Sequence, residues 1–250
     1  MEQVLTRNYA ADKNTERFFF TGMALVVALL IFVGFAPSYY LKPLFGVEPA
    51  SGRMTVLHHI HGLIFTLWIV FLVAQTVLVA RKRTDLHRRL GVGGMALALL
   101  MLAIGFYLQL VNLKQGITVA GVPPLAFFGV AVADLVAFSA LLGAGFYFRR
   151  RPDMHKRLML LATISLLTPA TARFALLALK SIPVPGLFIG WFMLDVLIVV
   201  CAVFDYRTLG RVHRATLIGG AFIVLSEPLR LVVANTALWQ QFAAWMARLI

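Results

Sequence analysis

The chain has 250 residues, of which 61% are hydrophobic and only 13% charged, with a mean hydropathy of +0.88. A soluble domain carries about a quarter charged residues, and apolar runs of about 18 residues or more recur here, so the class is membrane-spanning rather than soluble. The formal net charge of +13 is gathered in short loops, without a basic stripe interleaved with aromatics, which excludes nucleic acid as the partner.

The polar leader 1–17 contains Glu2, Asp12 and Glu16, and no small-residue cleavage site follows the apolar run that begins at Phe18. It is therefore expected to be a cytoplasmic tail, with 18–35 as a retained first span rather than a signal peptide. The second span, 56–80, opens Val56-Leu57-His58-His59-Ile60-His61-Gly62, which places three histidines at the mouth of a segment otherwise built for lipid. Further spans are expected at 91–112, 125–148, 158–179, 187–204 and 215–236. Each can cross a hydrocarbon core of roughly 30 Å at about 1.5 Å per residue, the sixth only just. In the tail 237–250, Trp239, Phe242, Trp245 and Met246 stand mostly three or four apart, the pattern of an amphipathic helix lying in the outer interface.

The expected fold is thus all-α, a polytopic helical bundle of seven transmembrane helices over 18–236. The N-terminal tail and the loops 81–90, 149–157 and 205–214 hold 16 of the 23 Lys and Arg residues. By the positive-inside rule the N-terminus is cytoplasmic and the C-terminus faces out. Cys201, the only cysteine, lies in an apolar run. It offers neither a disulfide nor a thiolate metal site and is expected to be a packing residue. The small-residue clusters at Gly91-Val-Gly93-Gly94, Gly143-Ala144-Gly145 and Gly219-Gly220 suit close helix packing, and none has the context of a phosphate loop.

Three inner loops resemble one another: Arg83-Thr-Asp85-Leu-His87-Arg88-Arg89-Leu90, Arg151-Pro-Asp153-Met-His155-Lys156-Arg157-Leu158 and Arg207-Thr-Leu-Gly-Arg211-Val-His213-Arg214. Spans two to seven therefore read as three repeated hairpins behind a leading helix. The repeat reaches into the spans, where Asp134 and Arg173 both lie about 22–24 Å from their basic loop at about 1.5 Å per residue. Asp195 and Arg230 repeat the arrangement. The first hairpin departs from it, with histidines on one span and Tyr107, Gln109 and Asn112 on the next.

Charges within spans are costly and face the bundle interior, paired or wet. Asp134 with Arg173 and Asp195 with Arg230 are the expected pairs, either as locks on helix register or as parts of a site. Glu227, next to Pro228, has no third cation, and Pro169 and Pro228 free backbone carbonyls near these charges. His58 and His61, three apart, share a helical face. Two histidines with carboxylates form a recurrent metal set, so His58, His61 and Glu227 are candidate metal ligands. Around them Asp134, Asp195, Arg173 and Arg230 complete a candidate cofactor-binding cluster in the outer half. Hydrogen bonding of the histidines to water and headgroups is the alternative. His87, His155 and His213, set among arginines at helix starts, are expected to cap helices or meet lipid phosphates. Gln75 is expected at the interface, and Trp68 in mid-span needs a partner for its indole N–H.

The segments His155-Lys-Arg-Leu-Met-Leu-Leu-Ala and Leu86-His87-Arg-Arg-Leu-Gly resemble small bacterial multi-pass proteins, some tied to haem-copper oxidase assembly and others similar to cytochrome b561-type folds. The resemblance covers roughly 10–20 residues per repeat and matches His87 and His155 by position, without a role. The chain departs from the b561 pattern in lacking histidine pairs on facing helices.

The leading expectation is a bacterial inner-membrane protein whose outer cluster holds a metal ion or haem for redox or cofactor-assembly work. A carrier for a small ion or polar solute, and a structural subunit whose charges only lock helices, are the alternatives. The bilayer is the expected surrounding, with a membrane-complex partner or a second copy of the chain as further contacts.

Overall fold

Six helices long and apolar enough to cross a bilayer account for most of the computed structural model, the features of a multi-pass membrane protein. The structure describes residues 2–47, 54–119, 122–174 and 185–249, with the backbone path alone for 2–12. In chain order the helices are α1 (Glu2–Phe35), α2 (Lys42–Phe45), α3 (Val56–Ala80), α4 (Thr84–Lys114), α5 (Pro124–Tyr147), α6 (Pro152–Ile164), α7 (Thr168–Thr171), α8 (Gly186–Leu209), α9 (Arg214–Ala234) and α10 (Ala237–Met246). The first apolar stretch runs longer than expected, Lys13–Tyr40, because a π-helical turn at Ala36–Tyr40 carries α1 past Pro37.

The expected fifth span, 158–179, departs from a single continuous helix. Its residues 175–179 lie outside the described residues; the remainder is α6, a turn, and the four-residue α7. Pro169 is the cause. It has no N–H to donate, and its ring would strike the carbonyl of Ser165 in an unbroken helix. The chain tightens instead through Leu166 N–H to Thr163 O at 3.2 Å and Leu167 N–H to Ile164 O at 3.0 Å. It then restarts with Pro169 in the first turn of α7, where a missing N–H costs nothing. The Thr171 hydroxyl donates to Gly190 O on α8 at 3.2 Å, tying the broken segment to its neighbour.

The helices pack in a ring of neighbours: α1 on α3, α3 on α4, α4 on α5, α5 on α6 and α9, and α8 on α7 and α9. Trp68, Phe138, Leu161, Ile164, Leu194 and Ile223 are all fully or almost fully buried in one shared apolar core. As expected, the Trp68 indole finds a partner, donating to Thr163 Oγ1 at 3.2 Å, and Cys201 is buried in the same core. Of the small-residue clusters, a Cβ at Gly94, Gly145, Gly219 or Gly220 would run into a neighbouring side chain, whereas Gly91, Gly93 and Gly143 face open space. Helix α10 lies against α5, with Trp239 Nε1 donating to Leu125 O at 2.9 Å and Ala243 buried. Leu238, Phe242 and Trp245 are left exposed on its other side.

A buried polar network closes the end of the bundle that carries the basic loops. Arg157, 3% exposed, donates from Nε to Asp205 Oδ1 at 2.9 Å and from a terminal nitrogen to the same oxygen at 2.5 Å. The other Asp205 oxygen accepts from the Thr216 hydroxyl at 2.5 Å and the His213 backbone N–H at 3.2 Å. Glu16 on α1 joins through Arg157 at 3.8 Å, and its other oxygen accepts from Lys156 at 2.5 Å. Four helices are thereby fastened at one point. Gly210 makes the turn between α8 and α9 feasible, since it ends α8 at φ 68°, where a side chain would be strained.

His213 caps α9 as expected, its Nδ1 accepting from Ala215 N–H at 3.1 Å. Nε2–H then points to Asp153 Oδ2 at 3.2 Å. Burial first, then the nearby Arg157 charge, holds this imidazole below its ordinary value. The neutral form that caps the helix is therefore the favoured one.

Asp205→Ala leaves the Arg157 guanidinium buried without its partner and is expected to cost about 3–5 kcal/mol, read as a lower Tm in detergent. Because the folded-state value of His213 is depressed, its contribution is complete above the unfolded value of about 6.5 and is lost as pH falls below it. The Tm should drop between about pH 7 and pH 5, and His213→Gln should remove part of that drop.

Candidate functional site

In the bundle interior, α5, α8 and α9 bring charged groups together. Ser226, Glu227 and Arg230 lie within one turn of α9, so the spacings of three and four residues put them on one side of the helix. Arg230, 3% exposed, donates to Asp134 Oδ1 on α5 and, through its other terminal nitrogen, to Ser226 Oγ at 2.9 Å. Asp134 and Glu227 are both buried, and Asp195 on α8 is half-buried. Glu227 is close enough to Asp195, Arg230 and Asp134 to feel the charge of each. Glu227 Oε1, Asp195 Oδ1 and Arg230 Nε are buried without a hydrogen-bond partner.

The pairing differs from the expected one. Asp134 pairs with Arg230 rather than with Arg173, and Asp195 is left without an ion pair among the described residues. Sequence-adjacent helices were the natural choice on paper. However, α5 packs against α9 directly, and this contact brings Asp134 to Arg230. Arg173 stands apart: it donates to Pro169 O within its own turn and lies over the Phe35 ring of α1 at 4.3 Å. A cation over an aromatic face is attracted by the ring quadrupole, which is its partner here in place of a carboxylate.

His58 and His61 also stand away from the carboxylates. His58 belongs to the start of its own helix: its Nδ1 meets Thr55 Oγ1 at 2.8 Å and the Thr55 backbone N–H at 3.3 Å, a capping box in which histidine replaces the usual glutamate. His61 stacks on Phe65 one turn on, with ring centroids 4.0 Å apart. His58 Nε2 and His61 Nδ1 are buried without partners, as are Gln109 Oε1 and Asn112 Oδ1 on α4. Among the described residues no group of three or more His, Cys, Asp and Glu is placed to hold a metal ion.

The reading of the sequence missed two features. Arg157 appeared there only as an orientation charge, yet it is among the most buried polar residues. The acidic Asp205, at the start of the third basic loop, was the available signal. Gln75, expected at the interface, is 7% exposed with neither amide atom bonded.

Comparison of the chain with protein-family models, with curated proteins and with solved structures finds no match.

The asymmetry of the cluster has a measurable consequence. Arg230→Met leaves the carboxylates without a cation and should cost about 3–5 kcal/mol, whereas Asp134→Asn should cost less, because Glu227 is at hand for Arg230. The Asp134→Leu/Arg230→Met double variant should recover most of the loss. Thermal unfolding of the purified variants in one detergent gives the ranking.

Proposed function

We propose that the chain is a bacterial inner-membrane carrier, with seven spans, a cytoplasmic N-terminus and an external C-terminus, that takes up a proton or small cation at Asp134, Asp195 and Glu227. The observation that carries this is the charge imbalance: three carboxylates share one guanidinium, and the buried Glu227 keeps an oxygen with no partner. An ionised carboxylate out of water costs several kcal/mol unless it is compensated. The cluster therefore favours a bound proton or cation, and releasing it requires access to water.

The broken helix supports the same reading. Discontinuous helices near the membrane midplane recur in carriers, where freed backbone groups and altered helix ends face the transported species. Here the break between α6 and α7 abuts α8, the helix that carries Asp195. In this proposal Arg230 pairs with Asp134 and fixes α5 against α9, and the cargo is shared among the three carboxylates. A metal or haem bound by His58, His61 and Glu227 is less favoured by the geometry, since the imidazoles serve a helix cap and a ring stack.

Proteoliposomes with an imposed membrane potential and an internal pH dye provide the test. The wild-type protein should carry protons inward faster than empty vesicles, and Glu227→Gln should cut the rate at least about a hundredfold, the lower end for losing a group that moves the proton. Wild-type vesicles no faster than empty ones for protons, sodium or potassium would overturn the proposal, as would unchanged flux in Glu227→Gln.

A further inference from the structure

At the basic end, well away from the carboxylate cluster in sequence, two of the three repeated loops bring their equivalent histidines together. His87 is the fourth residue of α4 and His155 the fourth of α6. Their rings lie across from each other with centroids 6.2 Å apart and planes at 78°. The lack of histidine pairs on facing helices read from the sequence does not extend to these two inner histidines.

Each ring has a carbonyl of the preceding helix behind it. His155 Nδ1 meets Gly145 O on α5 at 2.8 Å; a carbonyl only accepts, so Nδ1 carries the hydrogen and Nε2 keeps its lone pair. The backbone carbonyl of Gln75 on α3 lies close to the His87 ring, whose Nδ1 is buried without a partner. Bonding of one ring nitrogen to a backbone carbonyl is how proteins orient metal-ligating histidines and fix their tautomer. Beside them, the buried Gln75 amide has neither oxygen nor nitrogen satisfied. Unpaired buried polar atoms of this kind call for an explanation such as an ion.

We infer that His87 Nδ1 and His155 Nε2 form a two-imidazole site for a cuprous ion at the basic end of the bundle. Rings bound to one ion through metal–nitrogen bonds of about 2.0–2.1 Å have centroids about 5 Å apart at a tetrahedral angle and about 6.3 Å apart when opposed in line. The observed spacing sits at the open end of that range, which suits near-linear two-coordination. The surroundings select the ion. Arg88 acts on His87 directly, and a monovalent ion suffers less repulsion from it than a divalent one does. Two neutral imidazoles set opposite each other satisfy Cu(I), which accepts two ligands, whereas Zn(II) takes four.

The test is anaerobic Cu(I) titration of the detergent-purified full chain against a colorimetric Cu(I) chelator. The expected result is one Cu(I) per chain, with affinity reduced at least about tenfold in His87→Gln and in His155→Gln and unchanged in His59→Gln. X-ray absorption of the loaded wild-type protein should show a first shell dominated by two nitrogens, a readout that holds even if a variant fails to fold. Absence of stoichiometric Cu(I), full affinity in both histidine variants, tighter binding of Zn(II), or a haem titration that gives a low-spin bis-histidine spectrum would each overturn the assignment.

Discussion

A guanidinium inside an apolar bundle must be paired, and the Arg230–Asp134 contact meets that demand across α5 and α9. Its burial sets the terms for the surrounding groups. A second charge on the buried Glu227 would be costly without compensation. The same pair holds α9 on α5, and α8 packs on α9 in turn, which brings the third carboxylate within reach. A different partner for Arg230 would give a different site.

The basic end and the bundle interior handle charge in opposite ways. At the basic end, Asp205 accepts from Arg157, Thr216 and the His213 backbone, so that both its oxygens are engaged. Such a satisfied network fastens helices. Within the carboxylate cluster, Glu227 and Asp195 each keep an unbonded oxygen. Beside it, the helix that would have been the fifth span is interrupted at Ser165–Leu167, before Pro169. One network is closed at the basic end, and polar capacity is left unfilled in the interior.

The internal repeat shows how one local motif takes on different duties. The three loops share a basic stretch ending in His-Arg or His-Lys, yet His213 caps α9 and meets Asp153, while His87 and His155 face each other, each beside a carbonyl of the preceding helix. The motif recurs locally, but the neighbours do not. The first and second hairpins pack side by side through α4 and α5, which brings their histidines together, whereas the third presents its histidine to the α6 loop.

Composition and hydropathy alone determined the all-helical, membrane-type architecture, most helix positions, the buried Cys201 and the need of Trp68 for a partner, because these follow from local pattern and from what lipid tolerates. The break near Pro169 was also written locally, although apolar length concealed it. Tertiary structure alone decided which charge meets which. Asp134 meets Arg230 rather than Arg173, Arg157 is buried against Asp205, and His58 turns back to cap its own helix while His87 and His155 converge. Pairing depends on which helices become neighbours, and that depends on shape complementarity summed over whole helix faces, which no spacing along the chain records.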